Sequence, residues 1–213
     1  MLEQKLLERF KLEFDEKTYQ RKIAGIDVII HCHHYNSRLH KVIEGAGQID
    51  GRSIIRSSAE SVFHDKITKV FQPEDSLDDK WELAAKLYSH LGYGVLDISS
   101  VKEGMVFSSS SHFVEGWRIC FPEKEDAVCT FTEGYLQALI HSVTGNLVHV
   151  HEEECMIQGA DKCRFVIDEV RDTPIEKINE RPISYPILHI QKIIDSNIEE
   201  QKVHEGLLQF PFY

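Results

Sequence analysis

Cys155 and Cys163 lie four residues to either side of Gly159. The flanking runs, NLVHVHEEECMI and KCRFVIDEV, have the β-branched, alternating character of strands, and Gln158-Gly159-Ala160-Asp161 has the composition of a turn. A turn centred on Gly159 folds this stretch into a hairpin and brings the two thiols face to face. Cross-strand β-carbons stand about 4.5 to 5.5 Å apart, near enough for two thiolates to share one zinc ion at about 2.3 Å each. The same approach would suit a disulfide. Against it stand an odd total of five cysteines (Cys32, Cys120, Cys129, Cys155 and Cys163) and a first segment, MLEQKLLERFKLEF, that lacks the basic and apolar regions of an export signal. We therefore expect a soluble cytoplasmic protein with reduced thiols.

A structural zinc takes four ligands. Cys129 stands just ahead of Thr130-Phe131-Thr132-Glu133, a capping-box pattern, where helix amides would favour a thiolate. The fourth ligand must come from His151, Glu152, Glu153 or Glu154. Strict strand alternation puts Glu153, not Glu152, on the face of Cys155, and spacing alone leaves the choice open.

Elsewhere the pattern alternates between helix and strand. Leu2, Leu6, Phe10 and Phe14 recur at four-residue steps and predict an amphipathic helix that needs a partner surface. Ile26–Tyr35 reads as a strand running into a helix from Ser37, which Gly45, Gly47 and Gly51 end. Helices are expected from Ser53 to Phe71 and, after the acidic linker QPEDSLDD, over WELAAKLYSHL, stopped at Gly92. GVLDISS and MVFSSSS then form a hairpin around Lys102-Glu103-Gly104, followed by a short helix, HFVEGWRICF. Tyr135, Leu136, Leu139, Ile140 and Val143 give the helix after Cys129 an apolar stripe, closed by Gly145. This order predicts an α+β fold with an antiparallel sheet of about four strands packed with helices. Prolines at 174, 182 and 186 mark a change of character, so residues 1–172 are taken as one domain and 173–213 as a helical appendage.

A formal charge of −11, with acids spread along the chain, disfavours nucleic acid and anionic membrane surfaces as partners. No run of about eighteen apolar residues occurs. Among twelve histidines, His31, His33, His34 and His40 crowd together. On a strand, His31, His33 and Tyr35 would share one face, able to chelate a metal or hydrogen-bond a polar ligand, or simply to be solvated.

The run C-T-F-T-E-G-Y-L-Q-A-L-I-H-S-V-T-G-N-L-V-H-V-H-E-E-E-C-M-I-Q-G-A-D-K-C-R-F resembles the 4-vinyl reductase domain. That family has a helix with a Gly-aromatic start, a Gly-polar turn, and a strand reading E-x-x-C-x7-C-[RK]-F. It includes an accessory protein of bacteriochlorophyll synthesis and the sensor domains of aromatic-responsive transcription activators. It shares its fold, the NO-signalling and Golgi-transport ligand-binding type, with vesicle-tethering TRAPP subunits. The dense resemblance covers residues 112–168, including Gly116-Trp117; upstream only the order of elements is similar. The resemblance implies zinc on Cys129, Glu152, Cys155 and Cys163, which requires a bulge between Glu152 and Cys155. It implies an apolar cavity lined by residues such as Phe107, His112, Phe113, Trp117, Tyr135 and Leu139. The histidine and tryptophan that contact a phenol hydroxyl in the activator sensors have no residue-for-residue match here, so the ligand's identity does not carry over.

The function implied is a zinc-stapled domain, pairing as a homodimer, that binds or senses a small hydrophobic or aromatic molecule. Two alternatives are a reductase or accessory protein of tetrapyrrole metabolism, and a protein-interaction scaffold of the tethering type. A solo reductase would need a hydride source, and the chain has no Rossmann glycine fingerprint or phosphate-cradling loop. The reading therefore leans away from an enzyme.

Overall fold

The structure, a computed structural model, describes residues 8–170, with side chains through Asp168. The expected appendage and the residues Leu2 and Leu6 lie outside the described residues.

The chain first forms a meander of three short strands, β1 (Leu12–Phe14), β2 (Arg21–Ile23) and β3 (Ile26–Val28), paired antiparallel in that order. This corrects the reading of residues 2–14 as one helix. Glu8 and Arg9 are helical, but Leu12–Phe14 is a strand whose three residues are all exposed. The strand is turned back by Asp15, whose carboxylate accepts from the Lys17 amide at 2.8 Å, and by Tyr19 at φ 58°. Phe10 is buried and stacks on His90, with ring centroids 4.7 Å apart. The four-residue spacing thus spans a helix end and a strand, and its buried aromatic is used inside the molecule.

Five helices follow in two groups: α1 (His33–Glu44), α2 (Gly51–Val70) and α3 (Leu77–His90), then α4 (His112–Cys120) and α5 (Thr130–Thr144). Helix α1 starts at His33, not Ser37, so His33, His34 and Tyr35 occupy a first helical turn and the strand-face reading of that cluster does not hold. Ser76 caps α3 with a reciprocal Ser76–Asp79 capping box, drawing Leu77-Asp78-Asp79 out of the expected linker and into the helix. Between the helix groups, β4 (Gly94–Asp97) and β5 (Met105–Ser111) form the expected hairpin. After α5 come β6 (Val148–Glu154) and β7 (Cys163–Val170), which complete a four-stranded antiparallel sheet in the order β4-β5-β7-β6. The fold is α+β with an antiparallel four-stranded sheet, as the sequence predicts, plus the small meander that it did not.

Helix α5 is the centre of the core. Thr130 and every residue from Thr132 to Ile140 are buried, so both faces of the helix are covered rather than one apolar stripe. It packs against α2 on one side and β6 on the other. Gly134 permits the first contact, since a β-carbon there would stand 2.1 Å from the Arg56 carbonyl oxygen. The second is secured by Gln137, which donates to Glu60 at 2.7 Å and accepts from the Val150 amide at 3.1 Å. Burying such a side chain is favourable only because its donor and acceptor both find partners.

Candidate metal centre

Four groups from three elements converge beneath the start of α5. Cys129 is the residue that precedes the helix, Glu152 lies on β6, Cys155 follows the last residue of β6, and Cys163 opens β7. All three cysteines are fully buried, and the four possible ligand atoms lie within 4.8 Å of one another. The Cys163 sulfur stands 3.8 Å from those of both Cys129 and Cys155. Sulfurs bound tetrahedrally at about 2.3 Å from one zinc ion stand about 3.8 Å apart, so the spacing fits a shared ion.

The hairpin supplies this geometry through one irregularity. Along β6, Val148 and Val150 are buried while His149 and His151 alternate to the other face. Glu152 continues the inward series. The register with β7 then shifts between Glu152 and Glu154, and Cys155 comes out buried on the same side. Glu153 and Glu154 are left exposed, both within salt-bridge distance of Arg164. At Gly159, φ 94° closes the loop after a single 3-10 turn, Met156–Gln158.

The carboxylate of Glu152 is held from one side only. Its Oε2 accepts from the Cys129 amide at 2.9 Å, whereas Oε1 is buried without a hydrogen-bond partner. Burial, followed by the nearness of Cys155, pushes this carboxyl up to about 8. Burial likewise pushes the Cys129 thiol well above its ordinary range. Cys155 is pulled down because Cys129, and then Cys163, hydrogen-bond to its sulfur. The group therefore holds acidic ligands in a buried space that disfavours their charge, and a divalent cation would remove that conflict. Three sulfurs and a carboxylate oxygen, with one buried oxygen lone, fit zinc chemistry.

The capping box expected at Thr130 is absent. The Cys129 side chain makes no hydrogen bond to the helix amides, and Glu133 turns elsewhere. Its Oε1 accepts from the Glu152 amide at 2.9 Å and its Oε2 from Arg56 at 2.8 Å. Glu133 thereby fixes the backbone of Glu152 to the first turn of α5, a supporting role that the motif disguised as capping.

The six residues expected to line a cavity are not gathered on one wall. Phe113, Trp117, Tyr135 and Leu139 are buried in the core. Tyr135 packs its ring against Phe63 and Tyr88 and donates its hydroxyl to the Ala84 carbonyl at 2.7 Å. Phe107 alternates with the buried Val106 and Ser108 and so lies on the opposite sheet face, partly exposed. His112, half-buried, sits 2.9 Å from Asn36. Sequence reasoning missed the aromatic partners that surround Phe113, namely His40, Tyr93 and Phe131. His40 was visible as a member of the histidine cluster, but its helical register sends it inward, stacked 5.2 Å from Phe113, while His31 and His34 stay exposed. Burial lowers His40 to about 4 and keeps it neutral. Its Nδ1 and the Nε1 of Trp117, one turn along α4 from Phe113, are both buried without a partner. An open cleft of about 510 Å³ reaches Trp117, with Lys41, Glu44, Phe121, Lys124 and Asp126 among its other walls.

No curated protein matches the chain. Among solved structures it is similar to the phenol-responsive sensory domain of the transcription activator PoxR, crystallised with phenol, at 18% identity and a TM-score of 0.63, over 77% of this chain and 86% of that one. A vinyl-4-reductase family protein from Methanocaldococcus jannaschii is 17% identical over 68% of this chain and 84% of that one, with a TM-score of 0.44. The family model of the 4-vinyl reductase (4VR) domain matches residues 118–169, a span that includes Cys129, Glu152, Cys155 and Cys163. By that match, in a fold shared with the PoxR sensory domain, the chain carries a 4-vinyl reductase domain.

Proposed function

We propose that this 4-vinyl reductase domain is a zinc-stapled binding module for a small aromatic molecule, and that it reports the ligand by a change in stability rather than by chemistry on it. The observation that carries the zinc is the buried set Cys129, Glu152, Cys155 and Cys163, with sulfur spacings of 3.8 Å and the lone Glu152 Oε1. Zinc here joins the start of α5 to the β6–β7 hairpin, so its binding free energy is folding free energy.

The ligand reading is supported by the phenol-bound PoxR domain and by the seam between α1 and α4. Along that seam Trp117 Nε1 and His40 Nδ1 are buried polar atoms without partners beside the rings of Phe113 and Phe121. A phenolic hydroxyl can both donate and accept, which would satisfy an indole N–H and a neutral imidazole nitrogen together.

Pairing of two copies is assigned to α1, where Tyr35, Leu39 and Val42 follow one another at helical spacing and stay exposed. No described helix is long and apolar enough to cross a membrane.

Native mass spectrometry of the purified chain tests the metal, with one zinc per chain expected and its loss on thiol modification. A thermal-shift series with phenols tests the ligand. A guest at a hundredfold excess over Kd adds about 2.7 kcal/mol, and Trp117→Ala should abolish that gain without changing the zinc content. Zinc-free protein from zinc-supplemented cells would end the metal reading. An unresponsive melting temperature across phenols would end the ligand reading.

A further inference from the structure

On the sheet face opposite the cysteine centre, we infer that His149, His151 and Asp168 form a second, solvent-facing site for a divalent first-row metal ion. The two histidines are alternate residues of β6, so both side chains leave the same face, and Asp168 comes from the adjacent strand β7. Their possible ligand atoms lie within 4.8 Å of one another. The Nδ1 of His149 is 3.4 Å from Asp168 Oδ2, and the Nδ1 of His151 is 2.5 Å from the same oxygen. Ligands held at about 2.0 to 2.1 Å around a tetrahedral ion stand about 3.3 Å apart. The first distance already meets that value, and the second needs an opening of roughly 0.8 Å, within a side-chain adjustment of a partly exposed pair.

The donor set identifies the class of ion. Two imidazoles and one carboxylate suit zinc, nickel or copper and are poor ligands for calcium or magnesium, which want oxygen alone. Three protein ligands on an exposed face leave at least one position to water, unlike the closed set around Cys163. The local charge permits a cation. Arg56 lies 3.3 Å from His149 Nε2, but its guanidinium is engaged by Glu133 at 2.8 Å. The chain's formal charge of −11 favours cation approach from a distance. In the metal-free state Asp168 accepts from His151. Metal binding at Nδ1 requires only the neutral tautomer with its proton on Nε2, so no net charge change on the rings is needed.

This site does not depend on the zinc reading, and the test separates them. The full-length, untagged chain, as purified, is titrated with Ni²⁺ and followed by calorimetry and near-ultraviolet absorption. One equivalent should bind without the sulfur-to-metal charge-transfer absorption that cysteine ligation would produce. His149→Ala, His151→Ala and Asp168→Asn should each weaken binding at least about tenfold, with the melting temperature of the metal-free chain unchanged because all three side chains are partly exposed. If one variant fails to fold, the other two decide. Absence of binding, binding with thiolate absorption, or equal affinity in the variants would overturn the assignment, and none of these outcomes bears on the zinc content measured before titration.

Discussion

At the residue scale the centre distinguishes near neighbours that composition treats as equals. Glu152 and Glu153 are adjacent identical side chains, yet one offers a buried oxygen to the cysteines and the other pairs with Arg164 in solvent. Glu152→Gln should weaken zinc retention against a chelator by at least about tenfold, whereas Glu153→Gln should leave it unchanged. Cys155→Ser and Cys163→Ser should each remove the metal and cost about 3 kcal/mol or more, roughly 6 to 12 °C in Tm. Cys120→Ser, outside the cluster, should cost little; equal behaviour of the three would argue against the site. His40 carries a pH dependence of a different origin. Burial, with a smaller contribution from His112, lowers it from 6.5 to about 4, so between those values the unfolded chain binds more protons than the folded one. Its contribution is therefore complete above about pH 6.5 and is lost as the pH falls towards 4, a difference of about 3 kcal/mol. Denaturant unfolding at pH 7 and pH 5 checks this, and in His40→Phe the part of the slope due to His40 should vanish.

At the scale of elements, two close crossings set how the helices sit. Gly134 brings α5 onto α2 at the Arg56 carbonyl, and Gly116 brings α4 onto α1, where a β-carbon would stand 2.1 Å from the Ser37 hydroxyl oxygen. Gly134→Ala meets rigid backbone, so it should destabilise by about 1 to 3 kcal/mol despite alanine's better helix propensity. Thermal unfolding with an exposed Gly→Ala control would show it, and a stabilised variant would contradict the packing. The bulge in β6 is the other decisive element. Removing it would carry Glu153 inward and turn Glu152 away from Cys129. The sequence shows that a bulge is needed if Glu152 is the ligand, but three consecutive glutamates give no local signal of where it falls.

At the scale of the whole molecule, association and ligand response are separate properties of one fold. Pairing through α1 predicts a mass near twice 24.6 kDa by light scattering, and a monomer on Leu39→Glu or Val42→Glu with zinc retained. A monomeric parent chain would remove α1 from that role. The first apolar segment cannot pair copies in the way its pattern implies, because Phe10 is committed to His90. The family match and the PoxR-like fold concern the domain, while residues 171–213 lie outside the described structure.

The hairpin around Gly159, the order of helices and strands, and the candidate set of cysteines were legible because each follows from local chemistry: a turn residue, an alternation, a spacing. Helix starts at Asp50 and Ser76 belong to the same class, since capping acts within four residues. What the sequence could not decide was everything set by contacts distant along the chain. Glu133 looks like a capping residue until Arg56 and the Glu152 amide compete for its oxygens. His40 looks like part of an exposed cluster until Phe113 arrives from another helix. The meander hid behind a four-residue period because three-residue strands are too short to show an alternation of their own. Local propensity fixes which elements form, but burial decides which face, which register and which of several equal side chains meets a partner, and burial is a property of the assembled fold.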